Sequence, residues 1–278
     1  MPELPEVETV CKNLDQIIQP KSMPAKKILA WKFWRKDLRF ALPIKDLEKL
    51  KSEKFCQIFR RAKYIVFEFE NSLMISHLGM TGSWSTYFGD LHFYPKQKHD
   101  HVAFEFFKDQ WLVYNDPRRF GFIHHVESKN KTKYFINYGL EPIDITVDLN
   151  SINCALKKLN TNIKSALMNQ KYVVGVGNIY ACEALFRAKI FPLKKCSKLK
   201  DAEYRKLWVE VRAVLNEAIL AGGSTIKDYK NANNEAGSFQ KKFFVYGRDN
   251  ENCVHCRAKI LKIVISGRAT FYCKHCQN

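Results

Sequence analysis

The sequence predicts an α+β protein: an N-terminal helix leading into a β-sandwich, a helical second half, and a four-cysteine hairpin at the end. Three observations carry this. Apolar residues at helical spacing begin almost at once; short β-rich runs with turn residues between them fill residues 24–126; and the pattern turns helical beyond about 150, before two Cys-x2-Cys pairs. The 278 residues, 46% of them hydrophobic and 13% aromatic, supply two cores and exclude disorder as the main state. No run approaches the ~20 apolar residues of a membrane span. The opening Met1-Pro2-Glu3-Leu4-Pro5-Glu6 is acidic where a secretory signal is basic, so a soluble, cytoplasmic protein is expected.

In chain order, Leu4, Val7, Val10, Cys11, Leu14, Ile17 and Ile18 line one face of the first helix. Pro2 and Pro5 suit a first turn, and Glu3, Glu6 and Glu8 sit at the positive end of its dipole. Strands are expected at 28–33, 57–70, 73–77, 101–107, 111–115 and 120–126, with a short helix at 44–54. The stretch 127–137, with Lys129-Asn130-Lys131-Thr132-Lys133, reads as a polar connector and hinge. Helices follow at 152–159, 163–168, 179–189 and 202–220. Three domains are expected: 1–130, 131–240 and 241–278.

Charge is unevenly placed. The chain carries +18, from 46 Lys+Arg and 28 Asp+Glu. Residues 1–150 hold 23 basic and 19 acidic side chains, whereas 151–278 hold 23 and 9. A half at +14 opposes its own folding unless a polyanion offsets it, which favours a nucleic-acid partner over a merely solvated surface.

Of nine cysteines, Cys11, Cys56, Cys154, Cys182 and Cys196 are scattered and read as small core residues in a reducing compartment. Cys253-x2-Cys256 and Cys273-x2-Cys276, sixteen residues apart, instead offer four thiolates to one tetrahedral Zn²⁺. His255 and His275 lie inside the pairs and read as bystanders, since four cysteines complete the shell. A closed shell has no open position for a reacting water, so the metal is structural and a zinc-dependent deaminase is disfavoured. Residues 260–265 and 269–272 make the hairpin strands. Arg268 at its tip can reach a phosphate, or simply be solvated.

Pro2 carries the sharpest chemical hint. Removal of Met1 leaves a secondary amine of pKa near ~8, partly unprotonated at neutral pH. Such an amine attacking the anomeric carbon of a deoxyribose gives a cationic iminium, which acidifies the C2′ protons and drives phosphate elimination. Glu3 can shuttle protons to the sugar oxygen, and Glu6, one turn on, can support it.

At this point the residues resemble a family. Met-Pro-Glu-Leu-Pro-Glu-Val-Glu-Thr-Val at 1–10 is similar to the N-terminus of the formamidopyrimidine-DNA glycosylases, bacterial base-excision enzymes for oxidised purines. The likeness continues through Arg60-Arg61-Ala62-Lys63-Tyr64, His77-Leu78-Gly79-Met80-Thr81-Gly82-Ser83 and Lys98-His99-Asp100-His101. It resumes at Asp116-Pro117-Arg118-Arg119-Phe120-Gly121, at Val173 to Tyr180, and at Val245-Tyr246-Gly247-Arg248 before the zinc hairpin.

The resemblance implies a bifunctional glycosylase and AP lyase acting on 8-oxoguanine and formamidopyrimidines, with Pro2, Glu3, Lys63 and Arg268 catalytic. The expected partner is double-stranded DNA containing oxidised bases or abasic sites, bound by a monomer. Met80, Arg118 and Phe120 would fill the hole left by the flipped nucleotide. Alone, Met80 and Phe120 also read as core; their turn-like surroundings argue for exposure. Lys63, His77, Asn178 and Arg268 would bind phosphates, and Lys164 matches a lysine implicated in recognising the damaged purine. Val174 to Asn178 would belong to a helix–two-turns–helix element, and the Gly/Asn/Ser-rich stretch 221–238 to a loop over the extruded base, with 231–236 the least similar part. Two rivals are an endonuclease VIII-like glycosylase preferring oxidised pyrimidines and a non-enzymatic zinc-ribbon DNA-binding protein.

Overall fold

A computed structural model describes residues 1–19, 27–224 and 237–278. The chain forms two compact units: Met1–Ile136 with Gly222–Ser238, and Asn137–Ala221 with Phe239–Asn278.

In the first unit, α1 (Leu4–Ile18) precedes β1 (Ala30–Phe33) and α2 (Ile44–Lys49). Strands β2 (Phe55–Arg61), β3 (Tyr64–Phe69), β4 (Ser72–His77), β5 (Ser83–Phe88), β6 (Asp100–Phe107), β7 (Gln110–Asn115) and β8 (Phe122–Glu127) follow, then α3 (Lys131–Phe135). They build two antiparallel four-stranded sheets, ordered β1-β6-β7-β5 and β2-β3-β4-β8. The expected β-sandwich is present. One core joins Ile65, Phe67, Phe69 and Met74 of one sheet to Val102, Phe104, Leu112 and Tyr114 of the other, and α1 adds Val7, Val10, Leu14 and Ile18. Phe67 meets Trp84 and Phe104 edge-on, with centroids 6.0 and 5.7 Å apart, an arrangement the ring quadrupoles favour.

Three local expectations change. The run 57–70 is two strands, broken at Ala62-Lys63, where Ala62 takes φ +55°. The strand β5 was not expected: its Ser83-Trp-Ser-Thr-Tyr-Phe is only half apolar, as suits the edge of a sheet. The expected polar connector instead contains α3, whose Tyr134 and Phe135 cover Val66, Leu73 and Ile75 on the outer face of the second sheet.

The second unit holds α4 (Leu149–Lys157), α5 (Ile163–Leu167), α6 (Asn178–Ala188), α7 (Asp201–Leu220) and the hairpin of β9 (Ile260–Ile265) and β10 (Arg268–Cys273). The helix α6 is buried on nearly all sides because α7 packs on it and so does β10. Arg187 clamps Glu217 with two bonds of 2.7 and 2.9 Å between α6 and α7. Cys182 and Phe186 of α6 share a small core with Val245, Ile260, Phe271, Cys253 and Cys273.

Candidate active site and metal centre

In the first unit, Pro2, Glu3, Glu6 and Lys63 are all buried at the start of α1 and at the β2–β3 turn. Glu3 is the N-cap of α1 in a reciprocal capping box: its side chain accepts the Glu6 amide, and Glu6 Oε2 accepts the Glu3 amide at 2.8 Å. The other Glu6 oxygen holds Ser224, whose amide and hydroxyl donate to it at 2.7 and 3.0 Å. The Met1 amino group, one residue before the Pro2 nitrogen, has its pKa held below the ordinary α-amino value. Burial is the main cause; Glu3 and Glu6 oppose it, and Lys63 and Arg118 reinforce it. These four charged groups therefore act on one point, the chain start.

His77 ends β4 half-buried, stacked on Phe122 with centroids 5.1 Å apart. Its Nδ1 accepts the Gly79 amide at 3.1 Å, so in the neutral ring the proton lies on Nε2. Burial first, then Lys63 and Arg39, push its pKa down to about 4. His77 is thus a neutral donor, well suited to an anion that a second charge would not be needed to hold. Met80 and Phe120 are 42% and 45% exposed, contrary to a core role. Arg118, also exposed, lies over the Phe120 ring at 4.6 Å.

The second unit brings Lys164, Asn178 and the strand behind Arg268 together. Lys164 is 1% exposed, and its Nζ donates at 2.6 Å both to Asn178 Oδ1 and to Thr270 Oγ1. Asn178 Nδ2 donates to the Ala269 carbonyl at 2.8 Å, so its amide faces β10 and does not cap α6. Arg268 is exposed, just after the Ser266-Gly267 turn. Between α5 and α6 the Gln170 side chain shapes the turn: Oε1 accepts the Gly175 amide at 2.9 Å, and Gly175 has φ +80°. Sequence reading missed Gln170, Thr81, Asp116 and Ser224, each a polar residue whose role depends on a partner that no local pattern announces.

The four thiols Cys253, Cys256, Cys273 and Cys276 bring their sulfurs within 4.8 Å of one another. Cys253 and Cys276 are 3.8 Å apart, and Cys256 and Cys273 3.4 Å. A tetrahedron with Zn–S bonds of ~2.3 Å has edges of about 3.8 Å, so the donor set fits zinc. His255 lies apart from this set, stacked on Phe186 with centroids 5.3 Å apart. No described helix is long and apolar enough to cross a membrane.

Three family models match: the formamidopyrimidine-DNA glycosylase N-terminal domain over residues 1–123, its H2TH domain over 138–230, and the zinc finger found in FPG and IleRS over 250–278. A formamidopyrimidine-DNA glycosylase of Rickettsia bellii (strain OSU 85-389) is 40% identical over 280 residues, covering 100% of this chain and 99% of its own. That of Bdellovibrio bacteriovorus is 41% identical over 278 residues, with full coverage of both. A Lactococcus lactis FPG mutant solved with Fapy-dG containing DNA superposes with a TM-score of 0.88 at 34% identity, covering 99% of each chain. The Lactococcus lactis Fpg solved with an abasic site containing DNA gives 0.87 at 33%, again over 99% of each. The chain belongs to the formamidopyrimidine-DNA glycosylase family.

Proposed function

We propose that this protein excises oxidised purines from duplex DNA and then cleaves the strand at the abasic sugar, with Pro2 as nucleophile. The observation that carries this reading is the buried cluster of Glu3, Glu6 and Lys63 around the chain start, in a family whose members act on such lesions.

Removal of Met1 exposes the Pro2 nitrogen as a secondary amine. Its lone pair forms a bond to C1′ while the glycosidic bond breaks, and the proton that the alkylated amine gives up leaves with the base. Glu3, fixed by the capping box, passes a proton to the sugar oxygen as the ring opens to the iminium. Loss of a C2′ proton expels the 3′ phosphate, a second elimination expels the 5′ phosphate, and water then hydrolyses the iminium to free Pro2 from the unsaturated sugar fragment, leaving a one-nucleotide gap with phosphate ends. Lys63, His77, Asn178 and Arg268 are assigned to phosphates, and Met80, Arg118 and Phe120 to the space vacated by the flipped nucleotide. One Zn²⁺ per chain, held by Cys253, Cys256, Cys273 and Cys276, would fix the β9–β10 hairpin as a structural ion. We assign catalysis to residues 1–130, backbone gripping to 131–240 and the zinc hairpin to 241–278, in a cytoplasmic monomer.

Borohydride trapping on an 8-oxoguanine duplex tests Pro2: a covalent adduct is expected from the protein, and far less from Pro2→Gly, whose terminal amine is primary, or from a Met1-retaining form. Full cross-linking by either variant would overturn the assignment. A second reading draws on a further structure of the Lactococcus lactis Fpg, solved with an oxidized pyrimidine containing DNA. Competition between 8-oxoguanine and thymine glycol duplexes separates the two, with 8-oxoguanine expected to win.

A further inference from the structure

Two turns carry the exposed side chains Met80, Arg118 and Phe120, and one buried carboxylate joins them. Asp116 is 0% exposed. Its Oδ1 accepts the Thr81 hydroxyl at 2.5 Å, and its Oδ2 accepts the Gly121 amide at 2.8 Å. With its proton committed to Asp116, Thr81 Oγ1 accepts the Arg118 amide at 3.1 Å. The Asp116 carbonyl is itself held by His101, whose Nε2 lies 2.9 Å away and must be the donor, because a carbonyl only accepts.

The backbones leave this tie no slack. A Cβ on Gly79, which has φ +60°, would come within 2.4 Å of the Gly121 nitrogen and of the Phe120 carbonyl carbon. One on Gly121 would come within 1.9 Å of the Tyr114 hydroxyl and 2.5 Å of the His77 carbonyl. The turn bearing Met80 and the turn bearing Arg118 and Phe120 are therefore in direct main-chain contact, and the Thr81–Asp116 bond sets how they meet.

A buried carboxylate is costly to desolvate, and a fold seeking stability alone would do as well with an apolar residue. Its use here is geometric: it accepts donors from both turns at once. We propose that Asp116, acting through Thr81, is the positioning residue that makes Met80, Arg118 and Phe120 one rigid probe, so that the opened base stack is filled without ordering three separate side chains. The inference rests on the assignment of those three residues to the vacated space. It predicts a defect confined to substrates that have a stack to open. On a single-stranded abasic oligonucleotide the sugar is already accessible, and the probe has nothing to fill.

Thr81→Val removes the hydroxyl at nearly constant volume, and Thr81→Ser keeps it. Single-turnover excision from an 8-oxoguanine duplex should fall by about 100-fold in Thr81→Val, the scale of a small misplacement of a positioning group. Borohydride trapping on the single-stranded abasic oligonucleotide should stay within about twofold, and Thr81→Ser should restore duplex excision. A 2-aminopurine beside the lesion should report slower unstacking in Thr81→Val. Equal loss on both substrates, no loss on the duplex, or no rescue by serine would each overturn the proposal. Thr81→Ala removes the same hydroxyl and serves if Thr81→Val does not fold. Failure of the unaltered protein to trap on the abasic oligonucleotide would instead sink the Pro2 reading, so the two failures are distinguishable.

Discussion

One carboxylate oxygen of Glu6 holds Ser224 by both its donors, the amide at 2.7 Å and the hydroxyl at 3.0 Å, across 218 residues of sequence. The other oxygen holds the Glu3 amide at 2.8 Å. Gly223, with φ +82°, brings its main chain so close that a Cβ there would lie 3.0 Å from Glu6 Oε1. Glu6 therefore works as a fastener between the start of α1 and the chain at Ser224.

Glu6→Gln keeps the shape but turns an NH₂ group toward the amide of either Glu3 or Ser224, neither of which can accept. Bonds to a charged acceptor contribute about 1.5–3 kcal/mol each, so the variant should lose at least one such increment of stability. Urea unfolding measures that loss, and the trapping rate on an 8-oxoguanine duplex should fall with it by about 10-fold or more. A variant as stable and as fast as the parent would show that the fastener is idle.

His77 gives a pH prediction with a definite sign. Its pKa in the fold is about 4, below the ordinary histidine value of 6.5. The unfolded chain therefore binds the proton more readily over that interval, and stability rises with pH through it. The contribution is fully present above pH 6.5 and is lost as pH falls toward 4. Urea midpoints of the protein and of His77→Gln, compared near pH 7 and near pH 4.5, should show the parent's advantage shrinking in acid. A parent whose advantage grew in acid would contradict a neutral Nε2–H donor.

Zinc removal should act locally. Cys253 and Cys273 lie in the same small core as Ile260, Phe271 and Phe186, so the hairpin's apolar contacts depend on the thiols staying together. Structural zinc contributes about 10–16 kcal/mol of apparent binding energy in small fingers, far more than this core can replace. A chelator with a thiol reagent should release one zinc per chain, measured by elemental analysis, and abolish tight duplex binding. The near-ultraviolet signal of the β-sandwich aromatics should persist. Retained DNA affinity in the zinc-free protein would remove the hairpin from the binding surface.

Much of this was legible in the sequence, for physical reasons that also explain the gaps. Helical spacing in α1 and the cysteine pairs are local signals, so each could be read from a few neighbouring residues. The break at Ala62-Lys63 was not legible because no glycine or asparagine marks the positive φ that Ala62 adopts. The stretch 127–137 looked polar because its three lysines outnumber Tyr134 and Phe135, and two aromatics on a short helix give no period. Asp116 lay inside a recognised motif, but its bond to Thr81 spans 35 residues and had no signature of its own.

Lys164 supplies the last prediction. Its ammonium donates to Asn178 Oδ1 and Thr270 Oγ1, each at 2.6 Å, and Thr270 Oγ1 donates in turn to the Arg268 carbonyl at 3.1 Å. Asn178 begins α6 and Arg268 begins β10, so one buried lysine aligns two of the four residues assigned to phosphates. Phosphate contacts carry no sequence or lesion information, only affinity and register. Lys164→Met should therefore weaken binding to damaged and undamaged duplex by the same factor, about 10-fold for the loss of one charged hydrogen bond's worth of alignment. The ratio of excision rates for 8-oxoguanine and a formamidopyrimidine lesion should not change. Equilibrium binding by anisotropy on matched duplexes, with single-turnover excision of both lesions, measures the two quantities. A loss confined to 8-oxoguanine would return Lys164 to the damaged purine, because an alignment defect cannot tell one base from another.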